Sequence, residues 1–391
     1  MKQKTSFNMM TLIFAVIFST VFTFACGGGG GGGSKSDDKH GPGKPGNAKV
    51  YVAGYYADPV SGNNKACYWD ADGKRIDLEE PAVCFESIAT SIAVSGGKVY
   101  VAGYYDTEDY AFVPNACYWV DGKRTDLTDD GGTNSFSAGQ IFVSGDDVYV
   151  TGNWLDPANQ RKVQYWKNGV KSTFSAPDPI YHFYTLSIFV SAGKVYTSGY
   201  YNDSSGADRA YYFVDNQGYE LLPLAGDEYT DCMAESIFVS DGKTYVTGWY
   251  FYNASTAGYN DQPSKICYWV DGEIKILTAP ADSSDAYVDS IFVSGGKVYA
   301  AGGYNDYVNY NCSVSCYWVD GERKDLLIED EDWKGWYYDS TAYSIAVSGN
   351  DVYVAGRYDN FGDKACYWNN GTLVPLAGDE WSCTTSIAVV E

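Results

Sequence analysis

A short segment of the form VYVAG recurs seven times along this chain of 391 residues, and no other feature constrains the fold as strongly. Successive copies are 47 to 54 residues apart, a period typical of the four-stranded blade of a β-propeller. The closing glycines of the copies are Gly54, Gly103, Gly152, Gly199, Gly248, Gly302 and Gly356. The sequence therefore predicts an all-β fold, a single seven-bladed β-propeller of four-stranded antiparallel blades over residues 48–391.

Each repeat contains four short segments with the residue alternation of β-strands. The first reads SIFVSG or SIAVSG, the second KVYVAGYY, the third ACYW, and the fourth is short, as in KRTDL. Pairs such as Gly96-Gly97, Asp72-Gly73 and Asp271-Gly272 separate the first segment from the second and the third from the fourth. These pairs favour the tight turns of antiparallel hairpins, because such turns need positive φ.

The two ends of the repeat region complement each other. Residues 48–78 supply the second, third and fourth strands of a blade without a first strand, and the chain closes on a spare first strand at residues 386–390. A C-terminal strand that joins the first blade would close the ring and protect its edges. We therefore expect the last strand to pair with the first blade.

The first 47 residues differ in kind from the repeats. Lys2 and Lys4 precede an apolar run over residues 11–25, which is short for a membrane-spanning helix and typical of a signal peptide. Residues 27–47 are rich in glycine and offer nothing to bury, which predicts a flexible tether. The predicted organisation is a signal peptide at 1–25, Cys26 with the tether at 26–47, and the propeller at 48–391.

The junction of Ala25 and Cys26 resembles the lipobox of bacterial lipoproteins, in which the cysteine carries lipid and becomes the new N-terminus. Thr23 and Phe24 depart from the lipobox pattern, so cleavage without lipid remains the alternative. The resemblance implies an exported protein held by lipid at Cys26, on the outer membrane or the cell surface.

The segment GKVYVAGYY, followed by YW and a DG turn, resembles the kelch-type propeller repeat, and Gly302-Gly303 has the double glycine of that repeat. The tandem repeats are also similar to those of bacterial surface lipoproteins. Six of the seven repeats have a single glycine, and the fourth-strand Trp of kelch repeats is absent. The resemblance implies a platform for partners rather than a catalyst, although fold alone does not assign function.

Charge and histidine content argue against several functions. A net charge of −23 repels a phosphate backbone, so nucleic acid is not expected as a partner, and contact with a membrane is expected through the lipid only. The two histidines, His40 and His182, have no nucleophile motif or zinc spacing beside them. We therefore predict a monomer that is not an enzyme and needs no cofactor.

Calcium is the one metal for which carboxylates cluster in the sequence. Asp106, Glu108 and Asp109 share one loop, and Asp359 and Asp363 share another. Neither loop matches an EF-hand pattern, so solvated acidic loops are the simpler interpretation.

The residues that recur in register are predicted to be structural. The aromatic series comprises Trp69, Trp119, Trp166, Phe213, Trp269, Trp318 and Trp368. The cysteine series comprises Cys67, Cys117, Cys267, Cys316 and Cys366. Equivalent positions of adjacent blades should lie roughly 10 Å apart, beyond the reach of a disulfide. A bridge among the off-register cysteines, which are Cys84, Cys232, Cys312 and Cys383, is left open.

The long loops that enter the first and third strands are the predicted ligand-binding face, because variable loops on a rigid scaffold usually carry function. The candidate residues are Trp249, Tyr250, Phe251, Tyr252, Trp333, Trp336, Tyr337, Tyr338, Asp379, Glu380 and Trp381. Rings beside carboxylates suit a protein, peptide or glycan, so the main hypothesis is a binding module at the cell surface or in the periplasm. The alternative is an enzyme that acts on glycans through two carboxylates roughly 5 to 9.5 Å apart. A central acid pair would distinguish the two.

Overall fold

The computed structural model of the protein describes residues 48–107, 114–127, 136–155, 161–173, 183–252, 264–280, 284–306, 312–328, 337–360, 362–376, 378 and 380–391. The predicted signal peptide, Cys26 and the tether lie outside these ranges. The regular structure within them is β-sheet, and no helix long and apolar enough to cross a membrane occurs in this part of the chain.

The strands in chain order are β1 (Lys49–Ala57), β2 (Asn64–Trp69), β3 (Arg75–Asp77), β4 (Glu86–Ser95), β5 (Lys98–Asp106), β6 (Asn115–Val120), β7 (Lys123–Asp126), β8 (Phe136–Ser144), β9 (Asp147–Leu155), β10 (Arg161–Lys167), β11 (Val170–Thr173), β12 (Phe183–Ser191), β13 (Lys194–Asn202), β14 (Asp208–Val214), β15 (Gln217–Glu220), β16 (Tyr229–Ser240), β17 (Lys243–Tyr252), β18 (Ser264–Val270), β19 (Glu273–Ile276), β20 (Ser284–Ser294), β21 (Lys297–Asp306), β22 (Cys312–Val319), β23 (Glu322–Asp325), β24 (Ser340–Ser348), β25 (Asp351–Asp359), β26 (Asp363–Asn369), β27 (Thr372–Pro375) and β28 (Ser382–Val390).

These strands form seven four-stranded antiparallel sheets, which are the blades of a β-propeller. Blade 1 has the order β28-β1-β2-β3, and blades 2 to 7 take four consecutive strands each, from β4–β7 through β24–β27. β28 pairs with β1 in the register Val52↔Ile387, so the predicted closure by the last strand is confirmed. The prediction of an all-β propeller of seven four-stranded blades is confirmed as well.

A ring of hydrogen bonds joins the first strands and explains the repeated Ser-Ile pair. The backbone N–H of the Ile in one blade donates to the Ser hydroxyl of the preceding blade, as from Ile92 to Ser386 (3.2 Å) and from Ile387 to Ser344 (3.3 Å). The same bond recurs at each blade boundary, with Gln140 replacing Ser as the acceptor for Ile188. Because the bonds run from blade 7 to blade 1 as well, the first strands encircle a central axis.

The register tryptophans pack between blades as predicted. Trp119 is 1% exposed, and its indole N–H donates to the Glu79 carbonyl of the preceding blade (2.8 Å). Trp269 and Trp318 make the equivalent bonds to Leu222 and Thr278.

The anchoring glycines, which close the seven VYVAG segments, do not face an aromatic ring of a neighbouring blade. A Cβ on Gly103 would lie 2.1 Å from the carbonyl oxygen of Ile88 and 2.9 Å from the ring of Trp119, both in the same blade. The glycine is needed because the first strand bulges at this point and its backbone crosses directly over the second strand.

Tight turns join the strands at the end of the blades away from the long loops. Asp271 and Gly272 have φ of 50° and 86°, as hairpin turns of this kind require. The predicted turn at Asp72-Gly73 is different, because the third-to-fourth connection of blade 1 has one more residue than those of the other blades. There the Asp70 carboxylate accepts the N–H of Asp72 (3.0 Å) and closes a longer loop.

The nine cysteines in the described part of the chain are free thiols. The five in register are 0% exposed and act as small apolar side chains in the blade interior. Cys383, which is off register, lies on β28.

Candidate functional site at the propeller axis

A β-bulge in the first strand of every blade leaves a residue unpaired beside the central axis. The bulge lies opposite the anchoring glycine, and the unpaired residue precedes the Ser-Ile pair. We call the set the axial ring: Thr90, Gly139 with Gln140, Leu186, Glu235, Asp289, Tyr343 and Thr385. Thr90 shows how these residues bridge blades, because its hydroxyl reaches the carbonyls of Ala102 in its own blade (3.1 Å) and Gly139 in the next (2.6 Å).

Two carboxyls occupy adjacent positions of the axial ring, Glu235 in blade 5 and Asp289 in blade 6. Glu235 is 5% exposed, and its carboxylate accepts the indole N–H of Trp249 (3.1 Å). Burial raises the pKa of Glu235 to about 8, against the opposing effect of the Trp249 hydrogen bond. Asp289 is half-buried, and burial together with the nearby charge of Glu235 raises its pKa well above the usual range. The two groups therefore ionise as an interacting pair.

Gly303 shapes the surroundings of Asp289. It pairs with Tyr287 across β20 and β21, and a Cβ at Gly303 would lie 2.6 Å from the Tyr287 hydroxyl. The missing side chain thus makes room for the Tyr287 phenol next to the acid pair. The charge of Asp289 contributes, after burial, to raising the pKa of that phenol. The double glycine Gly302-Gly303, which resembles that of kelch repeats, is thus explained in this chain by the room that the Tyr287 phenol needs.

The residues that follow the anchoring glycines lie next to the axial ring, at the end of the blades where the first strands begin. They are Tyr55, Tyr104, Asn153, Tyr200, Trp249, Gly303 and Arg357. In blade 4, Tyr200 stacks on Tyr184 with ring centroids 4.5 Å apart and an interplanar angle of 11°. Aromatic side chains therefore flank the acid pair on the face where the long loops emerge.

A second polar group lies across blades 7 and 1. Arg357 forms an ion pair with Asp363, and its side chain is 35% exposed. Tyr55 and Tyr343 both hydrogen-bond to the thiol of Cys383, and Arg357 interacts electrostatically with all three. This group follows the acid pair around the ring, because Tyr343 is the axial residue next to Asp289.

Of the predicted site residues in blade 5, Trp249 alone contacts the acid pair. Tyr250 is 0% exposed, and its hydroxyl donates to Asp227 (2.6 Å), so its ring belongs to the blade interior and not to a binding face. Phe251 packs on Trp249 with ring centroids 4.9 Å apart. The ring of Tyr252 lies 4.4 Å from the Lys265 ammonium.

The other predicted site residues either make contacts away from the acid pair or are not among the residues that the structure describes. Trp333, Trp336 and Asp379 fall outside the described residues. Tyr337 is half-buried against the core between blades 5 and 6, and Tyr338 packs edge-on to Tyr358 (6.2 Å). Glu380 pairs with Arg75, and Trp381 is 51% exposed at the surface.

Sequence reasoning missed Glu235, Asp289, Tyr343 and Arg357. A signal for the first three was present, because each directly precedes a Ser-Ile pair, where other repeats have Thr or Leu. Arg357 is the single charged residue among the seven positions that follow an anchoring glycine.

A metal centre does not appear in the described part of the chain, where no three His, Cys, Asp or Glu side chains group closely enough to hold an ion. Asp363, a candidate calcium ligand, pairs with Arg357 instead. Asp359 accepts a backbone N–H within its own loop (2.9 Å). Glu108 and Asp109 lie outside the described residues.

Comparison with known proteins establishes the fold but no family. No family model matches the sequence, and no curated protein matches it, so kelch membership stays a prediction. The chain is similar to the structure of YjhT, at 15% identity over 77% of this chain and 99% of that one, with a TM-score of 0.39. A GH43 endo-arabinanase from Bacillus licheniformis is similar at 12% identity over 67% of this chain and 99% of that one, with a TM-score of 0.31.

The structure of puromycin hydrolase is similar at 11% identity over 86% of this chain, with a TM-score of 0.53. The chain spans about half, 53%, of the length of that enzyme. At these identities the similarity establishes the propeller fold alone.

The prediction that this chain is not an enzyme is wrong. It rested on the lack of a catalytic signature, whereas two interacting carboxyls, Glu235 and Asp289, occupy adjacent positions of the axial ring. Puromycin hydrolase, which is an enzyme by its name, has a similar fold.

Proposed function

We propose that this protein is a glycan-active enzyme that hydrolyses a glycosidic bond at the propeller axis. The observation that carries the proposal is the pair formed by Glu235 and Asp289, two interacting carboxyls with raised pKa values in adjacent blades. Glycoside hydrolysis needs one protonated and one ionised carboxyl on either side of the bond. A coupled pair supplies both forms at one pH, because loss of the first proton opposes loss of the second.

The surroundings of the two carboxyls suggest their roles. The Trp249 N–H bond favours the ionised form of Glu235, which makes Glu235 the base or nucleophile. Burial and the charge of Glu235 both favour the protonated form of Asp289, which is also more exposed than Glu235 and therefore suits the acid that protonates the leaving oxygen. The active form has Glu235 ionised and Asp289 protonated, so activity should rise with pH through about 8.

The aromatic residues around the pair suit a sugar substrate. The stacked rings of Tyr184 and Tyr200 and the indole of Trp249 offer flat apolar faces next to polar edges. Sugar rings have the same mixture of apolar faces and polar edges, and aromatic side chains bury such faces at low entropic cost.

Release of reducing ends tests this function directly. The full chain is incubated with neutral and acidic oligosaccharides from pH 6 to pH 10, alongside the variants Glu235→Gln and Asp289→Asn. We expect both variants to lose roughly 10²- to 10⁴-fold in rate, as removal of an acid or base does.

Asp208→Asn is the matched control. Burial, together with Asp231, raises the pKa of Asp208 to about 6, but this residue lies on the third strand of blade 4. Its replacement should leave the rate unchanged. Equal loss in the control, full activity in both axial variants, or no cleavage by the parent protein would contradict the proposal.

We also propose that the protein is exported and anchored by lipid on Cys26, outside the described residues. The short apolar segment before Cys26 and the glycine-rich tether after it support this proposal. An anchored enzyme on a tether would act on glycans of the envelope or its surroundings.

A further inference from the structure

Arg357 is placed where a substrate at the acid pair could reach it. It follows the anchoring Gly356 on β25, and its side chain is 35% exposed. It occupies in blade 7 the repeat position that Trp249 has in blade 5, where the indole N–H contacts the axial Glu235 (3.1 Å). Arg357 and Tyr343, the axial residue of blade 7, also interact electrostatically. Arg357 therefore lies beside the axial ring, one blade further around from Asp289.

Two phenols, those of Tyr55 and Tyr343, lie beside Arg357 together with the Cys383 thiol and the Asp363 carboxylate. Tyr55 and Tyr343 direct their hydroxyls at the thiol of Cys383, and a thiol is a weak acceptor. Burial raises the pKa of the Tyr343 phenol well above its usual range, so the hydroxyl keeps its proton at the pH of the reaction. A ligand with a stronger acceptor than sulfur would therefore compete for these donors.

The guanidinium has donors to spare as well. Asp363 accepts from Nη1 of Arg357, whereas an arginine has five N–H donors and no acceptor. The planar fork of a guanidinium matches the two oxygens of a carboxylate better than it matches a neutral hydroxyl.

We propose that Arg357, with the hydroxyls of Tyr55 and Tyr343, forms a subsite for a carboxylate on the substrate sugar. The substrate class is then a glycan that contains uronic acid. The stacked pair of Tyr184 and Tyr200 lies on the other side of the acid pair and would hold a neighbouring sugar ring. This inference rests on the proposed function, because it assumes that the glycan binds at the axis.

Binding of paired ligands tests the subsite apart from the chemistry. Calorimetry on the full chain with Asp289→Asn, which prevents cleavage, compares oligomers of galacturonate, glucuronate and mannuronate with their methyl esters. The esters keep the sugar and remove the charge. We expect the free acid of at least one of the three to bind at least about tenfold more tightly than its ester.

Arg357→Gln in the same background should abolish that preference, and Arg357→Lys should retain part of it, because the charge stays while the fork is lost. Tyr343→Phe should weaken binding of the acid and leave binding of the ester nearly unchanged. Arg209→Gln is the matched control. Arg209 lies on β14 in blade 4 and pairs with Asp203 (2.7 Å), so its replacement should leave the preference intact. Thermal melting of each variant establishes that it is folded.

The outcomes separate this inference from the proposed function. Equal binding of acid and ester throughout, or a preference that survives Arg357→Gln, overturns the subsite even if the parent protein cleaves neutral glycans. A preference that depends on Arg357, in a parent protein that cleaves none of the oligomers, supports the subsite and contradicts the hydrolase.

Discussion

Replacement of Glu235 with Gln should stabilise the folded protein at alkaline pH. Glu235 is 5% exposed, and burial raises its pKa to about 8, against about 4.3 for a glutamate in an unfolded chain. The folded state therefore holds this proton more tightly than the unfolded state. The resulting stabilisation is complete below about pH 4 and is lost as the pH rises to about 8.

The size of the effect follows from the two pKa values. Between pH 5 and pH 8 the parent protein should lose about 3 to 4 kcal/mol of unfolding free energy through Glu235. A glutamine of similar shape has no proton to lose, and its amide oxygen can still accept the Trp249 N–H. Without the charge of Glu235 the pKa of Asp289 is less strongly raised, so the Asp289 contribution also falls less with pH in the variant and widens the difference from the parent protein.

Guanidinium denaturation followed by tryptophan fluorescence at pH 5, 6, 7 and 8 measures the difference. Glu220→Gln, which changes an exposed glutamate on β15, is the control and should follow the parent protein at every pH. If Glu235→Gln and the parent protein lose the same stability between pH 5 and pH 8, then Glu235 titrates as an ordinary carboxyl. The roles assigned to the acid pair would then be wrong.

Three further changes test other parts of the site and the anchor. Trp249→Phe removes the N–H that favours the ionised form of Glu235. The acidic limb of the pH–rate profile should therefore move up by about 1 pH unit. An unchanged limb would show that the indole N–H has no part in the reaction. Gly303→Ala places a Cβ 2.6 Å from both the Tyr287 hydroxyl and the Val314 carbonyl oxygen and should lower the unfolding free energy by about 1 to 3 kcal/mol, measured by denaturation. An unaffected protein would show that the phenol and the β22 backbone both move aside at no cost. Cys26→Ala should shift the full chain from the detergent phase to the aqueous phase on partitioning, and identical partitioning of variant and parent would refute the anchor.

The fold was predictable because its information is repeated in the sequence. Seven copies of the anchoring glycine give the number of blades, and the spare strand at residues 386–390 gives the closure. The Ser-Ile pair also proved to be structural, since the Ser hydroxyl accepts the Ile N–H of the next blade at almost every boundary.

The site was not predictable by the same reasoning, because it depends on departures from the repeat. Strand alternation assigns side chains to the two faces of a blade. The bulge before each Ser-Ile pair interrupts this alternation and leaves one residue unpaired beside the axis. Glu235 and Asp289 therefore looked like two acids among the 50 in the chain. The loop aromatics were predicted to bind ligand from their composition and position. Tyr250 is instead buried, and Trp249 donates a hydrogen bond to Glu235.

A crystal structure of the Asp289→Asn variant with a bound uronate oligosaccharide would test the central claim most directly. Our account predicts a sugar on the axis, with a glycosidic oxygen within about 3.2 Å of the side chain at position 289 and the Glu235 carboxylate on the other side of the bond. It also predicts a sugar carboxylate on Arg357. An oligosaccharide bound among the surface aromatics near Trp381, with no sugar beside Glu235, would contradict it.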